Sequence, residues 1–430
     1  MKSVYWLRPW RPLCLCVLGF VAMAWAWPAH AWQPSDPSNV VAQEQNVIDN
    51  FEWAENPPRM AKQAGPPPLP IHLPQPGLFQ KFGVTASGWA NGGYTANGYS
   101  PNDGSNGIVY LNDQSNEFLL NQLWFAFERK LSDRKHIDWG GRFDILYGSD
   151  WRYGACTGLE TNINSPDQLN GWCLPQMYLE GKIGRLKIKG GHWASMYSHE
   201  VVPAPGNFFY SYSYSIALEP LLTTGFIGEY QLTESFALVA GTQNGWNTWE
   251  DPNKKWNMIG GFRWTPSEKS SIKWNFVTGQ EDPSGHYNRF GSYLVWNRTL
   301  TEKLSMAWLY TYLLDENGSW KNGPAHLYTP GNPNSNIHAL CNWLTYSLNE
   351  KWSVGSRIEW MCAPDGFGIY RGYCSDFWEF TLGANWRPCP NLVVRPEVRW
   401  DWTSDDNVRP FNDGTRSNQC LFAADFIFLY

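Results

Sequence analysis

The sequence predicts an all-β fold: a transmembrane, antiparallel, up-and-down β-barrel of about sixteen strands, preceded by an export signal and a proline-rich tail. Three observations lead there. Segments of about ten residues alternate between apolar and polar side chains, the period of a strand held between two solvents. The gaps between them run long, then short, to the end of the chain, as periplasmic turns and outer loops do. The last segment carries Phe422, Ala424, Phe426, Phe428 and Tyr430 on one parity and ends on that aromatic.

Taken in order, the chain begins with Lys2, Arg8 and Arg11, an apolar run from Leu13 to Trp27, and Ala29-His30-Ala31. Basic, apolar and small-x-small segments in that order predict a signal peptide, 1–31, cleaved after Ala31. The run is short for a membrane-spanning helix of ~20 residues, which disfavours a retained anchor. Residues 32–77 hold Pro57-Pro58, Pro66-Pro67-Pro68, Pro70, Pro74 and Pro76, too many for a helix or a central strand. They read as a periplasmic segment with one short helix near Val41 to Ala54. The barrel is expected over 78–430.

Strands are expected near 79–90, 117–130, 136–148, 174–183, 185–194, 220–231, 234–246, 256–266, 269–281, 289–299, 302–315, 336–348, 350–361, 376–386, 391–403 and 418–430. The clearest is the fifteenth. Leu392, Val394, Pro396, Val398, Trp400 and Trp402 share one parity, and Val393, Arg395, Glu397, Arg399 and Asp401 share the other. Trp352, Val354, Ile358 and Trp360 likewise alternate with Lys351, Ser353, Arg357 and Glu359. Short turns such as Thr233-Glu234 and Asn349-Glu350 separate long connections such as 91–116, 149–173, 195–219 and 404–417. An even strand number puts both ends in the periplasm.

Composition narrows the function. Net charge is −6, without the concentrated basic surface that nucleic acid needs. Aromatics are abundant (27 Trp, 21 Tyr, 22 Phe), yet mean hydropathy is −0.44, which suits a wall with one oily and one wet face. A secreted, aromatic-rich carbohydrate-binding β-protein is the alternative from another class, with Trp246-Asn247-Thr248-Trp249 suited to stacking on sugar. Seven cysteines remain once Cys14 and Cys16 leave with the signal, so at least one thiol stays unpaired. Cys156 with Cys173, and Cys362 with Cys374, each lie within one expected loop and are the disulfide candidates.

Several stretches resemble the OmpL-like beta-barrel porin-2 family of bacterial outer membranes. They are Asn121-Gln122-Leu123-Trp124, Asp138-Trp139-Gly140-Gly141-Arg142-Phe143-Asp144, and Gly191-His192-Trp193 through Glu200-Val201-Val202-Pro203-Ala204 to Gly206-Asn207-Phe208-Phe209-Tyr210-Ser211. Gly245-Trp246-Asn247 with Asp251-Pro252-Asn253 is similar too. The likeness covers roughly Glu117 to Tyr430 and implies fold and membrane more than any solute.

Sixteen strands enclose a water-filled lumen, so the expected role is passive passage of small hydrophilic solutes. Inward parities supply Arg142, Lys182, Lys187, Lys189, Arg263, Lys273, Arg357, Arg395 and Arg399. They also supply Asp138, Asp144, Glu180, Glu359, Glu379, Glu397, Asp401 and Asp425. Nine positive charges against eight negative predict weak ion selectivity. The third long loop, 195–219, carries His199, Glu200, Phe208, Phe209, Tyr210, Tyr212 and Tyr214, and is too apolar to stand in solvent. It is expected to fold inward as a constriction, with ring faces able to stack on sugars. Packing of those rings on the inner wall is the alternative, and a plugged, structural barrel is the competing reading within the membrane class.

Enzymatic readings fail on spacing. His199-Glu200 begins an H-E-x-x-H motif, but Pro203 stands where the second zinc ligand belongs. No nucleophile elbow or phosphate-cradling glycine loop occurs, and nothing calls for a metal or a cofactor. Asp405-Asp406 with Asp413, and Asp103 with Asp113, read as solvated loop acids. The expected partners are outer-membrane lipids, the barrel-assembly machinery, small hydrophilic solutes and two further copies in a homotrimer.

Overall fold

A computed structural model of the protein describes residues 71–132, 134–251, 253–281, 285–316, 334–363 and 374–430. The expected signal peptide and short helix near Val41 lie outside them. Sixteen antiparallel strands close into a barrel in which every strand pairs with its neighbours in sequence and β1 pairs with β16. In order they are β1 Thr85–Asn97, β2 Phe118–Arg129, β3 Ile137–Gly148, β4 Gly171–Ile183, β5 Leu186–Ala194, β6 Leu222–Gln231, β7 Phe236–Gln243 and β8 Asn257–Ser267. They continue as β9 Ser270–Gln280, β10 Asn288–Thr299, β11 Leu304–Glu316, β12 Asn334–Ser347, β13 Trp352–Ala363, β14 Ser375–Cys389, β15 Leu392–Thr403 and β16 Asn418–Leu429.

Some expected boundaries are wrong: β1 runs on to Asn97, inside the connection expected over 91–116, and β14 runs on to Cys389, into the expected turn. Residues 79–84 do not begin β1; Gly77–Phe82 form a short helix, α1. Pro76 cannot donate to a strand ladder, and Gly83 ends the helix in the left-handed region at φ 67°. The strand starts at Thr85 and carries small residues (Ala86, Gly88, Ala90) where the barrel closes. A Cβ on Gly88 would lie 2.6 Å from the Tyr430 ring. Tyr430 fills that gap, donating its hydroxyl to Trp124 O at 3.0 Å while its backbone exchanges two hydrogen bonds with Gly88. The terminal aromatic thus locks the seam.

Alternation along each strand separates two faces. On β15, Trp400 is 51% exposed whereas Arg399 and Asp401 are at most 1% exposed. The outer face carries aromatic ladders across strands: Trp378–Trp402 at 6.1 Å, Trp360–Trp378 at 6.5 Å, and Trp352–Trp386 at 5.7 Å near the opposite rim. Such belts sit at the two edges of a hydrocarbon layer. The register brings the charges of the other face into rows. Glu359 faces Glu379 and Glu379 faces Asp401, one step away from Arg357, Thr381 and Arg399.

Candidate functional site

The loop joining β5 to β6, residues 195–221 (loop 3), bonds to strands on the far side of the ring, so it runs through the lumen. Nearest its origin, Tyr197 donates its hydroxyl to Gln243 Oε1 at 3.3 Å, and the loop accepts hydrogen bonds from Asn275 Nδ2 at Met196 O (3.1 Å) and Lys273 Nζ at Ser198 O (2.9 Å). It then crosses to β12–β16. The His199 ring packs on Trp343 at 4.7 Å, and Glu200 accepts from Arg357 Nη1 at 2.8 Å. Further on, Ala204 N donates to Gln122 Oε1 at 3.0 Å on β2 and Tyr210 OH to Asn121 Oδ1 at 3.0 Å.

The far wall grips the loop's backbone through buried charges. Glu397 accepts from Tyr210 N (2.8 Å) and Ser211 N (3.1 Å), and Glu359 accepts from Tyr214 N (2.5 Å) and Ser215 N (2.9 Å). Arginines take the carbonyls: Arg357 donates to Ser211 O at 2.6 Å, Arg399 to Tyr212 O, and Arg395 to Asn207 O at 2.8 Å. Each arginine also holds a wall carboxylate: Arg357 Nε to Glu379 at 2.5 Å, Arg395 Nε to Asp425 at 2.9 Å, and Arg399 Nε to Asp401 at 2.8 Å. Charge-assisted bonds of this kind are the strong class, and in a site closed to water each satisfies a group that would otherwise be costly to bury. Within the loop, Asn207 caps the turn at Val201, accepting from its N–H at 2.9 Å and donating to its carbonyl at 2.6 Å.

The aromatic side chains lie against the wall. A Cβ on Gly355 would meet Phe208 at 2.7 Å and one on Gly383 would meet Phe209 at 3.0 Å, so two missing side chains on β13 and β14 make room for the pair. Tyr214 packs edge-on to Phe377 at 6.5 Å and donates its hydroxyl to Asp401. Burial pushes His199 down to about 4, with nearby Lys273 reinforcing the shift and Glu200 opposing it. Burial also holds the Glu219 carboxyl well above the usual carboxylate range, although Ser195 donates to it at 2.8 Å.

These contacts revise the expected lining. Asp138, Arg142, Asp144, Lys189, Arg357, Glu359, Glu379, Arg395, Glu397, Arg399, Asp401 and Asp425 are buried, whereas Glu180, Lys182, Lys187, Arg263 and Lys273 are partly exposed. The charges on β13–β16 therefore anchor loop 3 rather than line open water. Phe208, Phe209, Tyr210, Tyr212 and Tyr214 are likewise buried, so their ring faces are covered in this docked state. Sequence reasoning missed Asn121, Gln122, Trp343, Asn207, Gly355 and Gly383. The two glycines had a signal, as gaps in an otherwise polar inward parity.

The disulfide expected between Cys156 and Cys173 is not formed. Both are buried thiols, and Cys173 lies 3.4 Å from Gly154 O as a weak donor. Cys362 closes β13 partly buried and Cys374 precedes β14 exposed; 364–373, between them, lie outside the described residues. Cys341, Glu359 and Glu379 present ligand atoms within 4.8 Å of one another, the kind of set that can hold a cation. Here Glu359 holds the loop and Glu379 holds Arg357. Outer-loop acids have protein partners too: Asp113 pairs with Arg152 at 2.7 Å, and Asp413 is held low by the backbone N–H groups of Asn102 and Asp103.

Solved structures that share this architecture include an outer-membrane channel and a porin. The outer membrane channel DcaP of Acinetobacter baumannii matches with a TM-score of 0.52 at 12% identity, covering 81% of this chain and 97% of its own. OprB of Pseudomonas putida matches at 0.52 and 12%, covering 82% and 96%. The anion-selective porin from Comamonas acidovorans matches at 0.53 and 8%, covering 81% and 99%. At these identities the likeness concerns the fold. No curated protein matches the sequence. The model of the family described as "Putative beta-barrel porin-2, OmpL-like" matches residues 83–430, the whole barrel, and the chain belongs to that family.

Proposed function

We propose that the chain is an outer-membrane porin through which small hydrophilic solutes diffuse passively, along a lumen narrowed by loop 3. The observation that carries this is the docking of 195–221 across the ring onto β12–β16 and β2. A loop held by buried charges at several points is a fixed obstruction rather than a mobile flap. Selectivity between ions is weak, because the inward charges of both signs pair with each other or with the loop. A preference for sugars requires the rings of Phe208 to Tyr214 to come free when the loop shifts. Export through the signal, insertion by the barrel-assembly machinery and assembly as a homotrimer in lipid complete the proposal.

The near-complete burial of the β12–β16 inner face favours a second reading, a barrel plugged at rest. Planar-bilayer recording separates the two. A porin conducts as purified, and deleting 199–214 raises its conductance; a plugged barrel conducts only after the deletion. If neither chain conducts, both readings fall.

A further inference from the structure

The inward row across β12, β13 and β14 brings together groups that repel one another. The register sets Cys341 directly opposite Glu359 and Glu359 directly opposite Glu379, and all three are 0% exposed. Their ligand atoms lie within 4.8 Å of one another. Like charges set opposite each other weaken a sheet, and a carboxylate shut off from water must be paired or coordinate a metal. The neighbouring arginines are already engaged: Arg357 pairs with Glu200 and Glu379, and Arg399 with Asp401. Glu359 has no ion pair among the described residues; the N–H groups of Tyr214 and Ser215 and the Ser215 hydroxyl donate to it.

Each donor keeps room for an ion. A carboxylate offers about four acceptor positions. Glu359 uses three of them, and Glu379 uses three, on Arg357 Nε, Arg357 Nη2 and the Thr381 hydroxyl. The buried Cys341 thiol has no hydrogen-bond partner among the described residues and shares its space with both carboxylates. One sulfur with two carboxylate oxygens suits a borderline divalent ion of the zinc type, whereas calcium and magnesium take oxygen donors. The charges balance too. Arg357 offsets Glu379, and a divalent cation offsets Glu359 and the thiolate, the thiol proton passing to solvent. No sequence motif announces the set, because each strand supplies one ligand.

We infer that Cys341, Glu359 and Glu379 bind one zinc-type divalent cation, with water completing its coordination, and that the ion clamps loop 3. Glu359 is the link, carrying the ion as well as the backbone N–H groups of Tyr214 and Ser215, so metal and docked loop stabilise each other. Loop 3 covers the site, so the ion enters as the protein folds or when the loop lifts. The site stands on the docked geometry and not on which solutes pass the barrel.

The full chain, refolded into detergent with a chelator and then with cobalt or zinc ion as the only added metal, tests this. The parent should exceed Cys341→Ser by one tightly held cobalt per chain and by a thiolate-to-cobalt charge-transfer band. That difference excludes ions held by other cysteines. Glu379→Gln should weaken cobalt binding at least tenfold, and it keeps the test decisive if Cys341→Ser does not fold, which heat-modifiable gel migration reads. Zinc should slow chymotrypsin cleavage within loop 3 at least tenfold in the parent and not in Cys341→Ser. A folded parent that binds no more cobalt than the folded variants overturns the inference and leaves a proton shared by the two carboxylates as the neutralising charge. Loop cleavage indifferent to zinc overturns the clamp.

Discussion

Replacing Glu397 by alanine removes the carboxylate that holds two consecutive backbone N–H groups of loop 3, those of Tyr210 and Ser211 at 2.8 and 3.1 Å. The site is closed to water, with Glu397 5% exposed and Ser211 1% exposed. Hydrogen bonds to a charged partner contribute about 1.5–3 kcal/mol each, so two lost donors weaken docking by about 3–6 kcal/mol. At 1.4 kcal/mol per factor of ten, the undocked population rises by about 10²–10⁴. Tyr210, Tyr212 and Tyr214 are chymotrypsin sites when exposed, and cleavage tracks the open population when reclosing is fast. Chymotrypsin should therefore cut the folded Glu397→Ala variant within this loop at least a hundredfold faster than the parent, and its recordings should show longer high-conductance dwells. A folded variant with the parent's cleavage rate and conductance would refute the anchoring argument.

Arg357→Met leaves Glu200 and Glu379 buried without their shared cation, a loss of about 3–5 kcal/mol, and adding Glu200→Gln should recover part of it; denaturant titration in detergent reads both. Acidification should loosen loop 3 through His199. Its folded value near 4 lies below the ordinary 6.5, so the stabilising contribution of the neutral ring is present above about pH 6.5 and is lost as pH falls toward 4. Chymotrypsin cleavage should rise across that window and do so less in His199→Phe. Finally, Cys156 and Cys173 should both alkylate when the protein is denatured without reductant, and mass spectrometry of their peptides finding a disulfide would contradict the two buried thiols.

The strands were legible because period two survives every other demand on a lipid-facing wall: Trp400 and Trp402 must face oil while Arg399 and Asp401 face inward. The misplaced start of β1 shows the limit. Phe79 and Phe82 read as strand, and only Pro76 with Gly83 distinguishes a turn of helix. For the site, parity tells which face a charge occupies but not what fills the space it faces. Arg357, Glu359 and Glu397 thus looked like channel lining, because their partners lie 144–187 positions away on loop 3. The loop itself was legible from its aromatics, since Phe208 to Tyr214 would be poorly placed in open solvent.

The central claim is a closed wall with lipid outside and loop 3 docked within. Spin labels placed singly along β15, Leu392–Thr403, test the wall directly through collision with oxygen, which partitions into lipid, and with a nickel chelate, which stays in water. Labels at Val394, Val398, Trp400 and Trp402 should favour oxygen, while those at Arg395, Glu397, Arg399 and Asp401 should be shielded from both. Equal accessibility on the two parities, or lipid contact at Arg399, would contradict the account.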